Sequence, residues 1–206
     1  MNNPNIINTH DKLRVLNGEL SLASILKEIN FLHPLYQKLI AASPFLAMAT
    51  CGPTGLDVSP RGDPAGFVQV EDAKTLLLPE RRGNNRVDTL HNIVNDPRVG
   101  LLFMIPGIGE TLRVNGHASI SVDPALLERF VMAGKPPKCV LVVKVDTVFF
   151  QCARAIQRSR LWEPVASDAP RTVPTAGEIL SALTSNTFDG DTYDRELPAR
   201  QRATLY

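Results

Sequence analysis

Apolar runs separated by short polar turns predict a chain built mainly from β-strands. Seven segments have the length and the β-branched content of strands, at 45–50, 56–59, 67–70, 75–78, 98–105, 110–122 and 139–151. A shift of the alternating pattern at Gly116 indicates a β-bulge. Pro79 is expected to end the strand at 75–78, because proline has no N–H to donate to a ladder.

Helical periodicity is confined to shorter segments between and around these strands. Apolar residues recur every three or four positions at 22–29, 35–40, 85–94, 125–133, 153–161 and 176–183. The fold class that follows is mainly β with peripheral helices (α+β), arranged as an antiparallel β-barrel under helical cover. We expect an N-terminal arm with covering helices at 1–44, a barrel domain at 45–165, and a C-terminal helix with a tail at 166–206. The charged, aromatic-poor end of that tail is expected to be loose or to pack on a partner subunit.

Composition narrows the classes of partner. The 206 residues include 22 Lys and Arg against 21 Asp and Glu, so the net charge of +1 gives no basic excess for nucleic acid or an anionic membrane. Cys51, Cys139 and Cys152 are odd in number and widely spaced, which argues against a disulfide framework and against a zinc site. The N-terminus lacks the pattern of a secretory signal, and we expect a cytoplasmic protein that binds neither nucleic acid nor membrane.

A cationic turn between a strand and a helix is the strongest candidate site. Arg81, Arg82 and Arg86 surround a Gly-Asn-Asn sequence in which no acid interrupts the run. Glycine permits close backbone approach, and arginine forks bind phosphate or carboxylate through paired hydrogen bonds. The position of the turn before a helix would add free amides and the helix dipole. The alternative is an ordinary solvated turn.

Two other polar segments interrupt apolar sheet, at 59–63 and at 111–115. If their strands are neighbours of the strand at 75–78, arginines from three elements converge at one rim of the barrel. Otherwise each arginine serves its own turn, and the residues leave both possibilities open. His91 and His117 are candidate proton donors, although a structural or solvated role explains each of them equally well.

In chain order, five motifs carry a family resemblance. They are SPRGD, LLLPERRGNNRVDTLHNI, NDPRVGLLF, ETLRVNGHA and FFQCARAIQRSRLWEP. Over residues 45–164 this order resembles the flavin-binding proteins related to pyridoxamine 5'-phosphate oxidase. The resemblance implies a split β-barrel that forms a homodimer and holds FMN at the subunit interface. The segment 195–202 does not match the arginine-rich end of the true oxidase, so the resemblance is to the less characterised FMN-binding branch.

The resemblance also implies positions for the cofactor contacts. It places Arg81, Asn84, Asn85 and Arg86 around the FMN phosphate, Ser59, Arg61, Gly62 and Asp63 beside the ring or ribityl chain, and Thr111 and Arg113 near them. Trp162 is the candidate to pack on the flavin, with a core or interface aromatic as the alternative reading. A turn-fixing or ion-paired carboxylate explains Asp63 better than a general base does, and no residue is identified as catalytic.

The function that the resemblance implies is an FMN-dependent oxidoreductase. It would pass electrons between a nicotinamide cofactor, NADH or NADPH, and an unidentified small acceptor. Flavin chemistry needs little acid–base machinery from a protein, which suits a chain with no evident nucleophile. The alternative is a module that binds or senses FMN without turnover.

Overall fold

The computed structural model describes residues 5–83, 85–164, 166 and 170–206. Its strands are β1 Phe45–Gly52, β2 Gly55–Gly62, β3 Gln69–Asp72, β4 Thr75–Glu80, β5 Arg98–Met104, β6 Thr111–Ser121 and β7 Cys139–Gln151. Its helices are α1 His10–Asn17, α2 Leu22–Leu26, α3 Pro34–Ala42, α4 Asp88–Asn95, α5 Pro124–Arg129, α6 Arg154–Ser159, α7 Ala176–Leu183 and α8 Gly190–Ala203.

The strands form one antiparallel sheet in the order β2-β1-β5-β6-β7-β4-β3. All seven predicted strands are present, and β7 has the predicted bounds. The register between β6 and β7 shifts between Asn115 and Gly116, which confirms the predicted bulge. The sheet buries one face on a single main core, whose largest fully buried side chains include Phe103, Leu46, Leu76, Leu101 and Leu141.

Two ion pairs join parts of the chain that the sheet order places far apart. Arg61, near the end of β2, donates through Nε to Glu80 at the end of β4 at 3.0 Å. Just beyond those strands, Arg81 donates through Nε to Asp63 at 2.7 Å. Because β2 is an edge strand and β4 lies beside the other edge, these contacts mean that the sheet curls until its edges approach. The fold is the predicted split antiparallel β-barrel with peripheral helices.

Three local predictions need correction. Strand β4 does not end before Pro79 but continues to Glu80, with Pro79 opposite Val140 of β7. Strand β3 pairs with β4 only as far as Leu77, so Pro79 has a strand neighbour on one side, where a missing N–H is tolerated. Helix α4 begins at Asp88 rather than near Asn85. Helix α5 ends at Arg129, before residues 132–135 form a turn with positive φ angles at Ala133 and Gly134.

The predicted C-terminal tail contains a helix rather than a loose segment. Asp189 caps α8 by accepting from the N–H of Thr192, and the helix continues through Pro198 to Ala203. Helices α7 and α8 cross closely at Gly177 and Gly190, where an added Cβ on Gly177 would lie 2.1 Å from the Gly190 carbonyl oxygen. Only glycine fits such a crossing. We call α7 and α8 the C-terminal hairpin. In the described part of the chain, no helix is long and apolar enough to cross a membrane.

Candidate functional site

The first group of predicted site residues lies where the ends of β2 and β4 meet. The hydroxyl of Ser59 contacts that of Thr89 on α4 at 3.0 Å and accepts from Arg61 Nη1 at 2.9 Å. Arg61 is 15% exposed and its partner Glu80 is 19% exposed. This ion pair therefore fixes the arginine in a mostly enclosed position, aimed along the inner side of the barrel end.

Asp63 and Arg81 form the most enclosed ion pair of the site. The Asp63 side chain is 2% exposed and accepts from Arg81 Nε at 2.7 Å and from the Tyr206 hydroxyl at 2.7 Å. Arg81 also donates to the main-chain carbonyl of Phe130 at 2.6 Å, and its guanidinium lies 5.7 Å from the centroid of the Tyr206 ring. Asp63 is therefore ion-paired, and two nitrogens of the Arg81 guanidinium already donate within the chain.

The loop that follows Arg81 faces solvent. Arg86 is 78% exposed and pairs with Asp88 at 3.0 Å, at the first residue of α4. Asn85 has a φ of 63° and accepts from Lys138 Nζ at 2.8 Å. Asn84 lies outside the described residues. A pocket of about 220 Å³ lies between this loop and the end of β2, and its lining includes Arg61, Gly62, Arg82 and Gly83. Two of the three predicted polar segments therefore meet.

The second group lies on β6 and β7. Thr111 is buried and donates to Gln151 Oε1 at 3.3 Å. The guanidinium of Arg113 lies 4.2 Å from the centroid of the Phe149 ring. Its Nε is buried and, among the described residues, has no hydrogen-bond partner. A buried donor without an acceptor costs about 1–3 kcal/mol, so this atom would gain from an added acceptor.

Trp162 belongs to the second group. Its indole Nε1 donates to the carbonyl of Ile108, in the turn between β5 and β6, at 2.7 Å. In the same turn an added Cβ on Gly109 would lie 2.6 Å from the Ala153 side chain, so only glycine permits this approach to α6. The turn and the segment after β7 are thereby held together beside Thr111.

Within one chain the predicted site is thus divided into two groups. We call Ser59, Arg61, Asp63, residues 80–83, Asn85 and Arg86, with their neighbours Thr89, Cys139 and Tyr206, the loop group. We call Thr111, Arg113, Gln151 and Trp162 the β6 group. Strands β1 and β5 lie between β2 and β6, and no described hydrogen bond links the two groups. The predicted convergence at one rim therefore holds, within a chain, for the two segments of the loop group.

Several residues of these groups were not singled out from the sequence. Glu80 stands inside the PERR motif, but its pairing with Arg61 depends on the curl of the sheet. Thr89 and Tyr206 come from distant parts of the chain, and no spacing signal connects them with Ser59 or Asp63. Gln151 ends β7 opposite Thr111, a pairing that only the strand register reveals.

Two ionisable groups of the loop group have perturbed pKa values. Burial, with a smaller contribution from the Glu80 charge, raises the pKa of the Cys139 thiol to about 11. The hydrogen bond to Asp63 raises the pKa of the Tyr206 hydroxyl above its usual 10.0. Both groups are therefore protonated at neutral pH. His117 lies elsewhere, with Nδ1 2.8 Å from Asp146 beside the bulge.

Fold and site together define a split-barrel protein with a cationic loop at the barrel end. The sequence profile of the family described as pyridoxamine 5'-phosphate oxidase matches residues 32–152. The match covers more than half of the chain, and the chain belongs to this family. The C-terminal hairpin lies outside the matched region. No curated protein matches the chain.

Solved structures with a similar fold include proteins of several bacteria. HupZ of Group A Streptococcus is 21% identical, with a TM-score of 0.46 over 56% of this chain and 90% of its own. A putative pyridoxamine 5'-phosphate oxidase of Lactobacillus delbrueckii is 21% identical, with a TM-score of 0.44 over 59% and 95%. An FMN-binding protein of Syntrophomonas wolfei is 13% identical, with a TM-score of 0.44 over 55% and 82%.

Proposed function

We propose that this chain is an FMN-dependent oxidoreductase in which the loop group of one subunit and the β6 group of its partner hold one FMN. The observation that carries the proposal is the division of the site into two incomplete groups. The loop group offers cationic and amide donors suited to a phosphate, whereas the β6 group offers an indole and a buried arginine donor without an acceptor. Membership of the pyridoxamine 5'-phosphate oxidase family supports flavin as the ligand.

A second copy of the chain has a surface on which to pack. The outward side chains of β2 are apolar and open, with Leu56 85% and Val58 65% exposed. The neighbouring outward positions are small or apolar and half-buried, and include Ala47, Ala49 and Leu102. This face runs from the loop group to the β6 group, so a copy packed on it through a two-fold axis would bring each group to its counterpart. We therefore propose a homodimer with two equivalent sites.

The residues present fit FMN in different ways. Arg86 and Asn85 lie on an open loop and would bind the phosphate, whereas Arg81 would first have to leave Asp63 and Phe130. Arg61 is held by Glu80 and would contribute a fixed charge near the ribityl chain or the ring. Arg113 would donate through Nε to a ring or ribityl oxygen, and Trp162 would border the ring.

In the proposed reaction, the cofactor and the protein have different roles. Bound FMN accepts and donates electrons by itself, and the protein binds its phosphate, positions its ring and adjusts its potential. A cationic guanidinium near the ring favours the anionic reduced form, a role open to Arg61 and Arg113. NADH or NADPH as the reductant and a small organic molecule or oxygen as the acceptor complete the proposed reaction.

A flavin-binding module without turnover is the second candidate. It is favoured by the state of the carboxylates in the loop group, since Asp63 and Glu80 are both engaged by arginines. Anaerobic titration of the FMN-loaded protein with NADH and NADPH separates the two candidates. Bleaching of the flavin absorbance at a useful rate supports the oxidoreductase, and its absence with both reductants supports the module.

Flavin retention tests the site itself. We expect the purified protein to be yellow or to take up added FMN, and a colourless protein that does not quench FMN fluorescence would refute both candidates. Arg86→Ala should weaken FMN binding by about tenfold or more, as expected for loss of a charge-assisted phosphate contact. Arg158→Ala, which removes an exposed arginine from α6, is the matched control and should leave the affinity unchanged.

Mixed dimers test whether each site is shared. A chain carrying Arg86→Ala and a chain carrying Arg113→Ala should each bind FMN weakly alone. After the two are unfolded and refolded together, random pairing restores one intact site in each heterodimer, or about a quarter of all sites. Complementation that fails, or a holoprotein that sediments as a monomer, would contradict the shared site.

A further inference from the structure

A second cationic cavity lies beside the loop group, between that loop and the C-terminal hairpin. It has a volume of about 750 Å³ and is lined by Arg82, Gly83, Pro198, Arg200, Gln201, Arg202, Thr204 and Leu205. We call it the arginine cleft. A smaller pocket of about 220 Å³ shares Arg82 with it and adds Arg81, Lys135, Lys138 and Tyr206. Among the described residues, no carboxylate side chain lines either pocket.

The density of positive charge in these two pockets is unusual for the chain. Six arginines and lysines line them, although the whole protein carries 22 such residues against 21 acids. Asp63 offsets the charge of Arg81, and Lys135 donates to the Tyr206 carbonyl oxygen. Repulsion among the remaining like charges has an electrostatic cost that an anionic ligand would remove. The excess is local, which points to a small ligand rather than to nucleic acid.

The arginines that line the two pockets differ in how they are engaged. Arg81 is bound by Asp63, and Arg200 stacks on the Tyr193 ring at 4.5 Å. Arg82 and Arg202 are exposed and make no hydrogen bond or ion pair with the described residues. Arg82 lies on the barrel loop and Arg202 on the last turn of α8, so the two arginines reach the cleft from different elements.

Shape and lining narrow the ligand class. A cavity of this volume suits a nucleotide-sized molecule. Guanidinium groups bind phosphate through paired hydrogen bonds, and two of them from separate elements of the lining suit a ligand with more than one phosphate. Pro198 and Leu205 add an apolar part to the lining, against which a planar organic group would pack. The family match ends before the hairpin, so the cleft is formed partly by a segment outside that match.

We propose that the arginine cleft binds an organic diphosphate of nucleotide size, and that Arg82 and Arg202 bind its phosphates. The cleft shares Arg82 and Gly83 with the loop group, but its lining includes none of the residues proposed above to contact FMN, which are Arg61, Asn85, Arg86, Arg113 and Trp162. The proposal does not depend on flavin binding. The hairpin thereby contributes a ligand-binding wall that the barrel alone does not have.

Titration calorimetry with ADP as the probe, on the full chain with and without saturating FMN, tests the proposal. We expect ADP to bind in both cases and AMP to bind at least about tenfold more weakly, since it brings one phosphate fewer. Arg82→Gln/Arg202→Gln should weaken ADP binding by at least about tenfold. The matched control is Arg195→Gln, which removes an exposed arginine of α8 outside the cleft and should bind ADP like the unmodified chain.

Four results would overturn the proposal. They are failure of ADP to bind, equal affinities for ADP and AMP, equal affinities in the double variant and the control, and displacement of ADP by FMN. The last result would show that the cleft is part of the flavin site. Circular dichroism and the thermal midpoint establish that both variants are folded. ADP binding by a protein that does not bind FMN would refute the proposed function and leave the cleft proposal standing.

Discussion

The arginines Arg61 and Arg81 of the loop group have carboxylate partners, whereas Arg113 of the β6 group has none among the described residues. In the loop group, Asp63 accepts from Arg81 and Tyr206, and Arg61 is held by Glu80. In the β6 group, Arg113 stacks on Phe149 but keeps a buried Nε without a partner among the described residues. Residues with similar motif signals therefore divide into an internally paired network around Asp63 and a group with an unpaired buried donor.

Disrupting the hydrogen-bond network around Asp63 should destabilise the protein most. Asp63→Ala would leave Arg81, which is 16% exposed, without its carboxylate. Removing one partner of a buried ion pair costs about 3–5 kcal/mol, and we expect a loss of that size in urea unfolding. Asp88→Ala removes the carboxylate of the exposed Arg86 pair and should cost less than about 1 kcal/mol. Similar losses in the two variants would show that the Asp63 network is not structural.

The next effect concerns the attachment of the C-terminal hairpin. Among the described residues, Tyr206, which follows α8, makes the hydrogen bonds that join the hairpin to the rest of the chain. Its hydroxyl donates to Asp63, and its main-chain carbonyl accepts from Lys135 Nζ at 2.6 Å. Tyr206→Phe removes a bond to a charged group, worth about 1.5–3 kcal/mol, and should speed amide exchange in α7 and α8. Tyr193→Phe is the control, because the Tyr193 ring packs on Phe188 and its hydroxyl has no hydrogen bond with the described residues. Exchange that is equally fast in both variants would contradict this attachment.

The same bond predicts a dependence on alkaline pH. The pKa of Tyr206 is raised in the folded state, so the protonated hydroxyl is favoured by folding. Its contribution is complete below pH 10 and is lost as the pH rises through the raised value. Amide hydrogen exchange in α7 and α8, corrected for the intrinsic base-catalysed rate, should therefore accelerate above pH 10 in the unmodified chain. Tyr206→Phe should lack this added acceleration, and an identical pH profile would argue against the Tyr206 assignment.

A smaller effect on stability is expected in the β6 group. Arg113→Met keeps an unbranched side chain against Phe149 and removes the unpaired donor. Because no native hydrogen bond of Nε is lost, the free energy of unfolding should change by less than about 1 kcal/mol, in either direction. FMN binding should nevertheless fall. A large loss of stability with unchanged FMN affinity would make Arg113 a structural residue like Arg81.

The last prediction concerns the reactivity of two thiols, one from each region, and not stability. Cys139 is buried opposite Glu80 and has a pKa of about 11, whereas Cys152 is exposed directly after Gln151. Thiolates are the reactive form, so a thiol reagent at pH 8 should modify Cys152 well before Cys139. Peptide mass spectrometry distinguishes the sites. Modification in the reverse order would mean that the loop group is the more open region.

Sequence patterns predicted the strands because each one depends on local alternation. Strand β7 and helix α7 have the bounds expected from their apolar runs and flanking turns. The prediction that Pro79 ends β4 was wrong because it required knowing where β3 stops pairing. Helix α8 was not predicted, since its charged sequence contains Pro198 and only the Asp189 cap marked its start.

The candidate site was less predictable because its contacts are not local. The cationic loop was visible as a motif, but that motif does not distinguish Arg81, which is enclosed and paired with Asp63, from Arg86, which is largely exposed to solvent. The difference depends on the curl of the sheet, which brings Asp63 to Arg81. The division between loop group and β6 group likewise follows from the strand order, which periodicity cannot supply.

The tight crossing at Gly177 and Gly190 has a mechanical consequence. The two helices are locked at that crossing, also by Asp194, which accepts from the Gly177 N–H at 2.8 Å. Because the hairpin is attached by hydrogen bonds only near Tyr206, among the described residues, we expect α7 and α8 to move together as one unit about that point. Small rotations about Tyr206 would therefore sweep α7 through a longer arc than the last turn of α8. Motion of the hairpin would be largest at its far end.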